Sequence, residues 1–376
     1  MAGLEEKLCP VCFQEAMEHG ECRNCGYHAE ESSAAKDYLA PFTILKEKYL
    51  LGKSLGQGGF GITYLAENMQ SGLRCCIKEY FPSGLLQGRT PDGALILADE
   101  ENRPEYEEGK QQFIEEACAL QELRENISVV DILDFFEENG TAYFVMELIE
   151  GCNLRVFRKN HNPKQTLKMA LQMLFLLGSS LAEVHRFGMI HGDISPENIL
   201  ITQDGEIKLI DFGAARSFRQ GSDNKERKIY LKPNYAPYEQ YTQKPCQGPW
   251  TDIYALAATF YFIVSGRKML DALSRAKGAS YPPLHELCPA VSRQLSDVID
   301  KALAFDYHDR YRRMLDFLDA LEQVVRPEDY DIDLGALMPK SKASKQAEIH
   351  VETSDDSEKM CQVEEQNMPE PKGLAA

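Results

Sequence analysis

The chain has 376 residues, 43% of them hydrophobic and 27% charged, a globular composition with room for two or three folding units. A formal net charge of −18 argues against nonspecific binding to nucleic acid or to an anionic membrane. No N-terminal signal pattern stands out, and no apolar run nears the about 20 residues a membrane span needs, the longest being Tyr254 to Val264, so a soluble cytoplasmic protein is expected.

Four of the 11 cysteines gather near the N-terminus and the rest are scattered, which disfavours a disulfide framework. Residues 9–25 read CPVCFQEAMEHGECRNC, with Cys9 and Cys12 as one CxxC pair and Cys22 and Cys25 as the other. Two such pairs make a tetrahedral thiolate cage, the donor set of structural Zn²⁺ sites. Gly26 follows where a knuckle turn calls for positive φ, and His19 and His28 read as bystanders. So short a module cannot bury a useful apolar core, so the metal must hold it folded. Residues 1–30 resemble a zinc ribbon, and the resemblance implies an adaptor that recruits a protein partner. Residues 31–48 read as a linker with a short helical pattern.

From Tyr49, KYLLGKSL alternates as a strand does, a glycine turn follows (Gly56, Gln57, Gly58, Gly59, Phe60, Gly61), and ITYLAEN and LRCCIKEY give two further strands. A GxGxxG followed by a helix suggests a dinucleotide fold; here a strand follows, the geometry of a flap over ATP phosphates. The glycines let backbone N–H groups approach the phosphates. Residues 107–124 place Phe113, Ala117, Leu120 and Leu123 at helical spacing, then VVDILDFFEE and AYFVMELIE read as strands. Beyond Gly151 the pattern is mainly helical, clearest at 167–187 and 251–265, with DGEIKLIDFG as a hairpin leading to Asp211-Phe212-Gly213. Residues 327–376 are polar and acidic and read as a disordered tail.

The ordered set of glycine loop, Lys78, Glu116, Asp193 with Asn198, and Asp211-Phe212-Gly213 resembles the protein kinase fold. Ala236, Pro237 and Glu239 in YAPYEQY are similar to that family's Ala-Pro-Glu motif with one residue inserted, and Asp252 and Arg310 match two further landmarks. With KEYFP, GPWTDIYALAAT and the N-terminal ribbon, the chain looks like a bacterial branch of serine/threonine kinases. The expected class is α+β: a bilobal kinase domain over 49–326, with a small β-rich N-lobe (49–150) and a large helical C-lobe (151–326).

The resemblance implies roles. Lys78 grips the ATP phosphates and pairs with Glu116, chosen over Glu115 because its register matches FxxEAxxL. Asp211 and Asn198 hold Mg²⁺ (or Mn²⁺), and Asp193 takes the proton of the substrate hydroxyl. Thr63 and Cys76 cover adenine, Leu200 lies beneath it, and Met146, Glu147 and Ile149 form the hinge. His191, Phe212, Leu120 and Asp252 read as structural.

Two positions depart from the pattern. Gly192 stands where the family has the arginine that receives a phosphorylated activation loop. The loop from Ala214 to Tyr235 has Ser217, Ser222 and Tyr230 but no threonine. Activity independent of activation-loop phosphorylation is therefore expected. Ser195 replaces the lysine that touches the transferring phosphate. Lys232 is expected either to reach back and supply that cation or to face solvent or substrate. The segment 80–110 lengthens the path from Lys78 to Glu116, either as a hairpin beside the N-lobe or as a passive elaboration.

The main reading is a serine/threonine protein kinase acting on protein substrates. A pseudokinase or nucleotide-sensing scaffold is the alternative, but it predicts damaged catalytic groups, whereas all five are present. A small-molecule kinase is the third reading. His-Gly-Asp resembles the loop of aminoglycoside and choline kinases, which lack the Ala-Pro-Glu, Asp252 and Arg310 elements.

Overall fold

The computed structural model describes residues 7–29, 37–58, 61–122, 128–211, 216–217, 231–242 and 246–338. The chain divides into two compact units, the first running to Cys152 and the second beginning at Asn153, with Thr202–Glu206 belonging to the first.

The first unit opens with a small hairpin, β1 (Met17–Glu18) and β2 (Glu21–Cys22), in the cysteine module. An antiparallel sheet of six strands follows. They are β3 (Ile44–Leu45), β4 (Tyr49–Gln57), β5 (Gly61–Asn68), β6 (Leu73–Tyr80), β9 (Ile132–Glu138) and β10 (Thr141–Glu147), in the order β3-β4-β5-β6-β10-β9. All five strands read from the sequence over residues 49–150 are present. Strand alternation gives the sheet two apolar faces. On one, Tyr49, Leu51, Ile62, Tyr64, Ile77, Tyr143 and Val145 pack with Leu39 and Phe81, and with Leu86 and Leu95. Leu86 and Leu95 belong to the inserted hairpin β7 (Leu86–Arg89) and β8 (Leu95–Leu97), so the 80–110 segment does lie on the sheet as a hairpin. Helix α1 (Arg103–Glu122) packs on β9 and β10 and buries Phe113, Ala117 and Leu120, three of the four expected positions; Leu123 lies outside the described residues.

The linker differs from expectation. Residues 37–48 contain no helix but a turn and β3, paired to β4. Pro41 removes a backbone donor, and Tyr38 and Leu39 pack into the core of the sheet instead.

Along the chain, the division between the units falls within the short β11 (Gly151–Asn153). The second is helical. After α2 (Leu154–Asn160), α3 (Pro163–Arg186) starts on an Asn162–Gln165 capping box, earlier than its apolar pattern indicates. Helix α4 (Pro249–Ser265) is buried on every side from Thr251 to Ile263, as a central core helix is. α5 (Ala272–Ala276), α6 (Leu284–Leu287), α7 (Arg293–Ala302) and α8 (Met314–Glu322) follow, with α3 packed against α4 and α8. By length and composition α3 could cross a membrane, but most of its apolar residues, among them Met169, Leu174, Leu177 and Leu181, are buried within this unit.

The expectation of disorder from residue 327 is corrected for the first part of the tail. Pro327–Tyr330 form α9, the Tyr330 ring stacks on Phe175 at 4.6 Å, and Leu334 and Met338 are buried. The polar composition concealed a few well-placed apolar anchors. Residues 339–376 lie outside the described residues.

Candidate active site

In the second unit, β12 (Met189–Ile190) leads into HGDISPENIL. Asp252, fully buried on α4, accepts hydrogen bonds from His185 Nε2 (2.8 Å) and from the backbone N–H groups of His191 and Gly192 (2.9 Å each). These bonds fasten the loop to the core helix. Burial pushes the His191 imidazole down to about 4, so it stays neutral, in keeping with its structural role. Gly192 sits at φ 76°, a conformation that costs other residues about 1–2 kcal/mol, and its carbonyl accepts from Gln240 Nε2 at 2.8 Å. Glycine here thus both removes a cation and suits the turn.

The Asp193 carboxylate is the convergence point. Its Oδ2 accepts from Asn198 Nδ2 at 2.8 Å and pairs with Lys232 Nζ at 2.9 Å. Lys232 also donates to Ser195 Oγ at 2.9 Å. Of the two expectations for Lys232, the reach back to the catalytic loop is what the geometry has. Burial pushes the Asp193 carboxyl up to about 6, with Lys232 pulling against it and Asp211 adding to it. Asp211 follows the hairpin of β13 (Ile199–Thr202) and β14 (Ile207–Leu209), and Ile210 N donates to Asn198 O at 2.9 Å. Asp211 itself has φ 63°, local strain of the kind that collects at functional sites. Leu200 lies on β13 opposite Lys208. Phe212 and Gly213 lie outside the described residues, as do Ser222 and Tyr230; of Ser217 the backbone pairs with Met189 in a short ladder, β15 (Arg216–Ser217) with β12.

Arg310 forks onto Glu239, with Nη1 to Oε1 at 2.7 Å and Nη2 to Oε2 at 3.1 Å. Both side chains are buried, and Thr251 Oγ1 donates to the same carboxylate at 3.1 Å. Glu239 and Arg310, two landmarks singled out from the sequence, thus meet in the core.

In the first unit, Lys78 on β6 is buried and lies in register with Thr63 on β5 and Phe144 on β10. Cys76 pairs with Leu65 and Met146. Thr63, Leu65, Cys76, Lys78, Phe144 and Met146 therefore share one face of the sheet. Phe144 stacks on Phe113 of α1 at 4.8 Å, docking the helix that carries Glu116 on that same face. Glu116 is half-buried, whereas Glu115 is exposed and bonded to Gln111, which favours the register choice. Burial pushes the Cys76 thiol up to about 12, so it acts as a small apolar side chain. Glu147 Oε1 accepts from Asp131 N at 3.0 Å, and Ile149 is half-buried. In the glycine loop, Gly56 pairs with Thr63, Gln57 pairs with Ile62, and Gly58 N donates to Gly61 O at 2.8 Å; Gly59 and Phe60 lie outside the described residues.

The Sγ atoms of Cys9, Cys12, Cys22 and Cys25 all lie within 4.8 Å of one another, with Cys9–Cys25 and Cys12–Cys22 at 3.6 Å. A tetrahedron with Zn–S of about 2.3 Å has edges of about 3.8 Å, so the four sulfurs fit Zn²⁺. No histidine joins this cluster among the described residues, and Gly26 has φ 76°, as expected.

Two features escaped the sequence reading. One is Glu79, next to Lys78 but on the opposite face and fully buried. It receives Arg89 of the inserted hairpin and the hydroxyls of Tyr64 (3.0 Å) and Tyr143 (2.9 Å). Its only signal was an acidic residue at an inward position of an apolar strand. The other is the contact of the cysteine module with the sheet, taken up below.

The protein kinase domain family matches residues 49–319, and the chain belongs to that family. It is 31% identical over 286 residues to serine/threonine-protein kinase F of Synechocystis sp., covering 71% of this chain and 53% of that one. It is 29% identical over 289 residues to serine/threonine-protein kinase PknA of Nostoc sp., covering 74% and 48%. The chain spans about half the length of these relatives. The solved structure of PpkA-294 in its apo form is similar with a TM-score of 0.63 and 33% identity, covering 77% of this chain and 100% of that one.

Proposed function

We propose that the protein is an ATP-dependent serine/threonine protein kinase whose missing catalytic-loop lysine is replaced by Lys232. The observation that carries this reading is the Lys232 ammonium placed 2.9 Å from both Asp193 Oδ2 and Ser195 Oγ. Asp193 accepts the proton of a serine or threonine hydroxyl while that oxygen bonds to the γ-phosphorus and the bond to the ADP oxygen breaks. Lys232, one hydrogen bond from that base, then neutralises charge on the transferring group. Lys78, with Glu116, binds the α/β-phosphates. Thr63, Cys76, Met146, Glu147, Ile149 and Leu200 receive adenine. Asp211 and the amide oxygen of Asn198 are hard oxygen donors suited to Mg²⁺, which when bound offsets phosphate charge.

The enzyme is of the type without an arginine before the catalytic aspartate, and it works without a phosphorylated activation loop. Gly192 supports this, since no guanidinium at that position awaits a phosphate. The acidic net charge and the burial of α3 in the core support a cytoplasmic enzyme acting on protein substrates, with neither nucleic acid nor a membrane as its target. The domains follow as a ribbon (1–30), a linker (31–48) and the kinase domain.

The test is transfer of labelled γ-phosphoryl from Mg-ATP to a generic protein substrate. Label on serine or threonine is expected, falling by about 10²–10⁴ in Asp193→Asn and unchanged in Ser217→Ala/Ser222→Ala. Intact ATP binding without transfer would instead indicate a nucleotide-sensing scaffold.

A further inference from the structure

The cysteine module does not stand apart. Cys9, Val11, Phe13 and Cys22 form one buried cluster with Leu65 of β5, joined by Tyr27 of the module and by Leu50, Leu55 and Leu148 of the sheet and the segment after it. The backbone interlocks as well. Lys53 N donates to Pro10 O at 2.9 Å, and Lys53 Nζ lies 5.9 Å from the centroid of the Tyr27 ring. The approach is so close at Gly52 that a Cβ there would sit 2.2 Å from Pro10 O and 2.8 Å from Phe13 Cζ.

The face involved is the one that carries the nucleotide positions. Leu65 is the register partner of Cys76, which covers adenine in the reading above, and Cys76 in turn pairs with Met146. Leu55 directly precedes the glycine loop, and Leu148 lies between Glu147 and Ile149 of the hinge. The module's apolar side is thus occupied by the residues that flank the adenine positions, rather than left open as an adaptor's would be.

We propose that the metal-loaded ribbon is a wall of the nucleotide site, and that its docking on Leu55, Leu65 and Leu148 sets the affinity for ATP. The inference rests on the kinase reading. The ribbon residues are positioning residues, since they act through the strand and hinge positions and not on the phosphates. The four thiolates and their Zn²⁺ hold the knuckles that present Val11 and Phe13, so loss of metal releases the wall. Docking acts on binding of the base and not on the transfer step, so it moves KM for ATP and leaves kcat nearly alone.

The experiment uses the full chain. Gly52→Ala drives a wedge between ribbon and strand without touching a cysteine, Phe13→Ala removes the ribbon's plug by a separate route, and Glu18→Ala alters an exposed ribbon pair away from the contact. Zinc content is measured in each, together with the dissociation constant of a fluorescent ATP analogue and the KM and kcat of transfer. Zinc is expected to be retained, with affinity and KM weakened about tenfold in both docking variants, kcat within about twofold, and the Glu18→Ala protein unchanged. Zinc-stripped wild type is expected to lose affinity to the same degree. Unchanged affinity in both docking variants and in the stripped protein overturns the proposal while leaving the kinase reading intact. Failure of the zinc-loaded wild type to bind the nucleotide overturns that reading, and the inference with it.

Discussion

Among the described residues, two arginine–carboxylate pairs are fully buried, one in each unit, and they differ in origin and in legibility. In the second unit, Arg310 forks onto Glu239 beside the sole tryptophan of the chain, Trp250, whose carbonyl accepts from Arg310 at 3.3 Å. In the first, Arg89 of the inserted hairpin meets Glu79 beneath the sheet, with Asp37 O and Gly93 O accepting two further N–H groups. The former joins two segments of the shared kinase scaffold. The latter fastens an elaboration to that scaffold, one residue from Lys78. In both places a buried charge is tolerated because the carboxylate and most of the guanidinium N–H groups are matched, and the mismatch of any other placement fixes where the segment docks.

The comparison can be broken one pair at a time. Arg310→Met strands Glu239 in the core and is expected to cost about 3–5 kcal/mol, read as an earlier urea midpoint in Trp250 fluorescence. Arg89→Met is expected to cost less, about 3 kcal/mol, because a hairpin can lift away and admit water to Glu79. That loss should be silent to Trp250 and visible as faster proteolysis between Leu86 and Leu97. Glu79→Met added to Arg89→Met should recover most of it, since the uncompensated charge is then gone; no recovery would mean that Tyr64 and Tyr143 depend on the carboxylate.

The smallest effect concerns pH. Burial alone would raise the Asp252 carboxyl, but the His185 hydrogen bond, the two histidines and the Gly192 N–H hold it below the usual range. A depressed folded value means stability that is present above the unfolded value of about 3.9 and lost as pH falls through the folded one. Trp250 should therefore report loosening of the second unit below about pH 4, with a shallower acid dependence in Asp252→Asn.

The same contrast explains what the sequence could tell. Glu239 and Arg310 were readable because each stands in a motif whose order along the chain is distinctive. The reach of Lys232 to Ser195 was one of two expectations, raised because Ser195 leaves a charge unaccounted for in the loop. The strands came from alternation and the core helix α4 from an unbroken apolar run. Arg89 was not readable, because its partner lies across a sheet and no local spacing encodes that contact. The linker was misread for a similar reason: Tyr38 and Leu39 follow the tertiary pull of the sheet, not their own periodicity. The docked ribbon was missed because its apolar residues, Val11 and Phe13, look unremarkable within a metal knuckle until Gly52 supplies a surface flat enough to meet them.

The most direct test of the account is phosphoryl transfer by Lys232→Ala beside the wild type and the relocated pair Ser195→Lys/Lys232→Thr. Lys232→Ala is expected to lower kcat about a hundredfold, the size of one lost contact to transition-state charge, and the relocated lysine to restore most of it. Full activity in Lys232→Ala would contradict the account, since the cation would then have no part in the transfer.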